Sequence, residues 1–175
     1  MCCGQALPIT SDGIALAVLC AGGGTASAVD VASRRIPNVL CVSIAALGIV
    51  LALAGVSGIT VWSSLAGFAI GFVMMLPGHV LGAMGAGDVK LFAAAGTVLG
   101  AVRVFEAFFY VAIVGGVFAL FVAWRRGRLM KTVKYTGQLC GNPRETKRTI
   151  EAETQHNRFP YGPAIAVGCV LAVLF

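Results

Sequence analysis

Six apolar runs, roughly Ile14–Val29, Val39–Val56, Val61–Leu76, Val89–Val102, Val104–Trp124 and Pro163–Phe175, take up most of this chain and decide what it can fold into. The sequence has 175 residues, is 58% hydrophobic and 11% charged, and has a mean hydropathy of +0.91. A water-soluble domain of that size cannot cover so much apolar surface, so the bilayer must be its solvent. The expected fold is all-α: a polytopic membrane protein with about six transmembrane helices, forming a single membrane-embedded domain over residues 1–175. Several runs fall short of the ~20 residues that comfortably span a bilayer. The first, fourth and sixth are the short ones, and each abuts a polar motif, as suits a site near the membrane surface. The N-terminus lacks the basic residues of a signal peptide, so the first run is expected to be a retained helix.

Charge sets the expected orientation. The connection Arg125–Pro160 holds nine basic and three acidic residues, a net +6 that equals the charge of the whole chain, and Arg34 and Arg35 lie between the first two runs. By the positive-inside rule the 1–2, 3–4 and 5–6 connections face the cytoplasm and the N-terminus faces out. Trp62 and Trp124 then fall at the outer and inner interfaces. Topology and attraction to anionic lipid account for the basic connection, and no nucleic-acid partner is called for.

Two acids stand at the edges of apolar runs. Asp30 closes the first, and Asp88 opens the fourth within Gly85-Ala86-Gly87-Asp88. Ionisable groups at membrane depth are expensive and usually functional. With the expected topology, helix 1 runs inward to Asp30 and helix 4 runs outward from Asp88, so both acids reach the cytoplasmic side. Gly22, Ala26 and Asp30 recur every four residues, as do Asp88, Phe92, Gly96 and Gly100. Small residues at that spacing let membrane helices approach closely, so these stripes are expected to pack helix 1 on helix 4 and converge the acids; generic helix packing explains the stripes equally well.

Three motifs occur in order: Asp30-Val-Ala-Ser-Arg-Arg-Ile-Pro37-Asn38, Met84-Gly-Ala-Gly-Asp-Val-Lys-Leu-Phe92 and Phe159-Pro-Tyr-Gly-Pro-Ala-Ile165. Together they resemble the type IV prepilin peptidases, the Gly-x-Gly-Asp class of intramembrane aspartic proteases, and within it the short form associated with Flp-type (tight-adherence) pili. The resemblance implies a six-helix endopeptidase of the inner membrane. It would clip the leader from prepilins and pseudopilins at the cytoplasmic face, with Asp30 and Asp88 as the catalytic pair. Longer members carry a cysteine-containing insertion and also N-methylate the pilin. This chain has no such paired-cysteine segment, so methylation is not implied. The archaeal preflagellin peptidases share the aspartate pair and stand as an alternative, as does a small proton-coupled transporter using the two aspartates as a relay. The transporter reading leaves the Gly-x-Gly-Asp and Pro-Tyr-Gly-Pro combination unexplained.

The residues support hydrolysis in their own right. Peptide cleavage by two carboxylates needs one ionised, to activate water, and one protonated, to polarise the carbonyl. Asp88 stands at a helix N-terminus, where the macrodipole favours the anion, and Asp30 near a C-terminus, which disfavours it, so Asp88 is expected to be the more readily ionised. Gly85 and Gly87 leave room for an extended substrate strand, or else make a tight turn into helix 4. Lys90 is expected to snorkel toward the interface, with substrate contact a secondary role. Pro37 and Asn38 look like the first turn of helix 2. Asn38 and Tyr161 carry polar groups at the right depth to line the site. Arg103 and Glu106 are expected to pair at the outer face. His79 and His156 are too far apart in sequence to suggest a metal site, and the six scattered cysteines support neither zinc nor a disulfide framework. The chemistry calls for no metal and no cofactor.

Overall fold

The computed structural model describes residues 8–33, 37–80, 84–125 and 161–175. The basic connection and the Arg34–Arg35 pair lie outside the described residues. The fold is all-α, with helices α1 (Pro8–Ser33), α2 (Asn38–Leu53), α3 (Val61–Val80), α4 (Ala86–Arg125) and α5 (Gly162–Leu174). Among them α1, α3 and α4 are long and apolar enough to cross a membrane, while α2 and α5 are shorter apolar helices.

The helix ends follow local chemistry. Pro37, extended at φ −65° and ψ 133°, sits just before α2 rather than in its first turn. At the other end of α2, Gly55 takes φ +68°, which glycine tolerates best. There the N–H of Gly55 bonds to the Ala52 carbonyl and that of Val56 to the Leu51 carbonyl, both at 3.2 Å, which closes a Schellman cap. Thr60 Oγ1 accepts the Ser63 N–H at 3.2 Å and so caps α3. Helix α1 is 26 residues long and therefore not short, as its apolar run alone implied. Its mid-helix hydroxyls are absorbed by back-bonding: Thr25 Oγ1 donates to Ala21 O at 2.9 Å and Ser27 Oγ to Gly23 O at 2.6 Å, so they do not end the helix.

Helix α4 doubles back on itself. Gly100 has φ +79° and ψ 176°, and the rings of Phe92 and Phe108 stack edge-on with centroids 6.4 Å apart. In a straight helix sixteen residues would hold them about 24 Å apart. The arms 86–99 and 101–125 thus run antiparallel, with the reversal three residues before the break that Arg103 suggested. Helix α3 supplies the partners this turn needs. Ser63 Oγ accepts the Ala101 N–H at 3.2 Å, and Ser64, fully buried, donates its hydroxyl to Thr97 O at 2.7 Å. In a lipid environment such orphaned backbone groups have no other recourse.

The packing overturns the expected helix 1–helix 4 seam. Gly96 and Gly100 of α4 face α3: a Cβ on Gly96 would lie 2.3 Å from Gly67 O, one on Gly67 would lie 2.2 Å from Gly96 O, and one on Gly100 would lie 2.9 Å from Ser63 Oγ. Helix α1 packs chiefly on α5 and touches α2 and α4 only lightly, with Gly23 against Ala166 and Gly22 against Ile44. Small residues license close approach without choosing the partner. Here the Ser63 and Ser64 hydrogen bonds commit the glycines of α4 to α3.

Candidate active site

Asp30 and Asp88, 58 positions apart in sequence, are 6% and 7% exposed and lie at one end of the bundle. That end is defined by the last turn of α1, the starts of α2, α4 and α5, and the end of α3. Each carboxylate accepts a backbone N–H at a helix N-terminus. Asp88 Oδ2 accepts the Gly85 N–H at 3.0 Å, an acid in the first turn reaching back to its own N-cap. Asp30 Oδ2 accepts the N–H of Gly162, the first residue of α5, also at 3.0 Å. The ranking that made Asp88 the more readily ionised thus loses its basis, because α5 offers Asp30 the same positive helix end that α4 offers Asp88.

The corner Tyr161–Gly162 adjoins Asp30 and lies within the field of Asp88. Gly162 touches Asp30 so closely that a Cβ there would meet Oδ2 at 3.0 Å and Asp30 Cβ at 3.1 Å. Tyr161 is half-buried, with its ring lying where a side chain on Gly115 of the second α4 arm would go. Burial, reinforced by the charge of Asp88, pushes the Tyr161 phenol up from its ordinary value, so it stays protonated and able to donate.

The other expected site residues gather around this corner. Gly85 makes the tight turn into α4, its carbonyl accepting the Asp88 N–H at 3.1 Å, and Gly87 falls within the first turn of α4. Lys90 is exposed, and its ammonium donates to Asn38 Oδ1 at 3.1 Å. The pair links α4 to the start of α2 at the rim of the site. Among the described residues no group of three His, Cys, Asp or Glu converges as a metal site requires.

The sequence from residue 17 to residue 120, more than half of the chain, matches the type IV leader peptidase family. The chain belongs to that family. No curated protein and no solved structure matches it. The match takes in Asp30, Asn38, Gly85, Gly87, Asp88 and Lys90, and stops short of Tyr161 and Gly162. In this member of the family the fold itself brings Gly162 to Asp30.

Sequence reasoning missed two contacts. The Gly162 N–H was a findable partner, since a helix start followed by proline leaves its first amide free. Arg103 is bonded to Asp12 near the start of α1, with Glu106 adding to the local negative charge. The expected Arg103–Glu106 pair gives way because the reversal at Gly100 turns Arg103 toward α1.

Proposed function

We propose that this protein is an aspartic endopeptidase that uses Asp30 and Asp88 to remove the leader from Flp-type prepilins at the cytoplasmic face of the inner membrane. One observation carries the reading: in a member of the leader peptidase family, two buried carboxylates 58 residues apart in sequence lie at the same end of the bundle, Asp30 bonded to the start of α5 and Asp88 to the start of α4. In the reaction, one ionised aspartate takes a proton from water as the water attacks the scissile carbonyl, and its protonated partner donates a hydrogen bond to that carbonyl oxygen. Collapse of the tetrahedral species breaks the C–N bond, with the leaving nitrogen taking up a proton.

The surrounding residues have supporting parts. Gly85 and Gly87 keep the approach to Asp88 clear of side chains, the Tyr161 phenol offers a hydrogen bond next to Asp88, and Lys90 with Asn38 shapes the rim. With the two α4 arms counted separately the described residues hold six helical segments; on our reading each is one pass, and the positive-inside rule would then put both acids on the cytoplasmic side. A basic 5–6 connection would repel a basic leader, so its part is orientation. The test is co-expression with a short Flp-type prepilin and, separately, an archaellin precursor. Conversion of the first to the mature size is expected; cleavage of only the second would reassign the substrate, and cleavage of neither would overturn the reading.

A further inference from the structure

Asp12 and Asp30 are eighteen residues apart on α1, which is five full turns at 3.6 residues per turn and about 27 Å along the axis. They therefore project from the same face of the helix. Between them that face runs through Ala15, Leu19, Gly23 and Ala26, all buried. The opposite, outward face carries Ala17, Ala21, Gly24 and Ala28, residues of much the same size and polarity. In lipid, where association relies on packing and polar contacts more than on hydrophobic burial, the rotation of such a helix is set by the close fit of Gly22 and Gly23 against α2 and α5 together with its polar contacts. Among the described residues it makes polar contacts to the rest of the bundle near both ends: Asp12 to Arg103, just past the α4 reversal, and Asp30 to Gly162 of α5.

We propose that the Asp12–Arg103 ion pair is a positioning device for Asp30, fixing the rotation and axial register of α1 from the end of the bundle opposite the site. Arg103 holds the α1 face that bears Asp30 against α4, and the rigid helix carries that setting five turns to the Gly162 amide. A one-residue slip turns α1 by about 100° and swings Asp30 off that amide. The effect on the reaction rests on Asp30 being a reacting group; the effect on α1 does not.

The experiment follows both. Spin labels at Gly24→Cys, where nothing lies within 4 Å of an added Cβ, and at Ile113→Cys, 63% exposed on α4, report the setting of α1 in a background with the native cysteines replaced. Arg103→Gln and Asp12→Asn should each broaden or shift the label distance and lower kcat for leader removal by about 10- to 100-fold, as small misplacements of a reacting group do, with KM little changed. The swap of Asp12→Arg with Arg103→Asp should restore both readouts, which mere tolerance of lost charge would not. An unchanged label distance in both single variants, or a swap that restores neither readout, overturns the proposal. A shifted α1 with wild-type kcat overturns its link to Asp30. If the wild-type chain cleaves no leader, the peptidase reading fails, and the label distances still decide the register.

Discussion

Gly162 donates its backbone N–H to Asp30 at 3.0 Å across 132 residues of sequence, so the first described helix delivers a carboxylate to the open end of the last. An oxygen lone pair of Asp30 and the dipole of α5 are thereby engaged with each other, and the position of the carboxylate depends on how α5 enters the bundle. Asp88 needs no such help, since it caps its own helix through Gly85.

If the two acids divide the proton work, Asp30→Asn and Asp88→Asn should each abolish leader removal while the protein remains in the membrane. The double variant should be hardly worse than either single one, because groups acting as a unit are not additive. Mature pilin is read on a gel from cells co-expressing a prepilin. Normal processing by either single variant would falsify the assignment.

Gly162→Ala places a methyl 3.0 Å from Asp30 Oδ2 and 3.1 Å from its Cβ, so the carboxylate must give way. A fall in kcat of about 10- to 100-fold is expected for such a displacement, with the detergent melting temperature nearly unchanged. Kinetics equal to wild type would show that the contact does not hold Asp30 for catalysis.

Gly96→Leu and Gly67→Ala should both destabilise the bundle, since each drives a side chain into the backbone of the facing helix. Overpacking commonly costs about 1–3 kcal/mol, and backbone atoms on the receiving side leave little room to relax. Thermal unfolding in detergent measures it, and a stability loss below roughly 0.5 kcal/mol, the range of innocuous surface changes, for both variants would contradict the α3–α4 seam.

Paired cysteines at positions 23 and 166 should cross-link in a background free of native cysteines, because a Cβ on Gly23 would lie 2.9 Å from Ala166 Cβ, and a small separation of the two helices brings the pair to the roughly 3.5–4.5 Å that a disulfide spans. Cysteines at 26 and 96 should not cross-link, as Gly96 faces α3. The reverse pattern would restore the α1–α4 packing that the sequence stripes suggested.

A reporter fused after Lys134 should be cytoplasmic and one after Ser57 external, given the +6 charge of the connection after α4. Opposite results at both points would set the acids on the wrong face for cleavage of a cytoplasmic leader.

Much of this could be read in the residues, for identifiable reasons. The all-helical class follows from apolar runs whose backbone must satisfy itself, and the common depth of Asp30 and Asp88 follows from alternating helix directions. Partner choice did not. The Gly22–Ala26 and Gly96–Gly100 stripes said that helices come close, but a missing side chain is equally accommodating to any neighbour. What assigns Gly96 to α3 is hydrogen bonding by Ser63 and Ser64, whose targets depend on where the chain reverses. A reversal was legible in the gap between the fourth and fifth runs at Arg103, but its place at Gly100 was hidden because a glycine inside an apolar run looks the same whether its φ is negative or positive. The Arg103 pairing failed with it: a spacing of three is a rule for one continuous helix face, and it does not weigh a partner brought in from α1.

The bond between Asp30 and Gly162 also fixes an order of events during synthesis. The carboxylate leaves the ribosome early, on the first described helix, while its amide partner follows 132 residues later. Until α5 has been made and inserted, Asp30 lacks the contact that orients it, and Tyr161 has not yet come to its place beside Asp88. A nascent chain therefore carries both acids in the bilayer without the corner that organises them, and its assembly into the site waits on the arrival of that final helix.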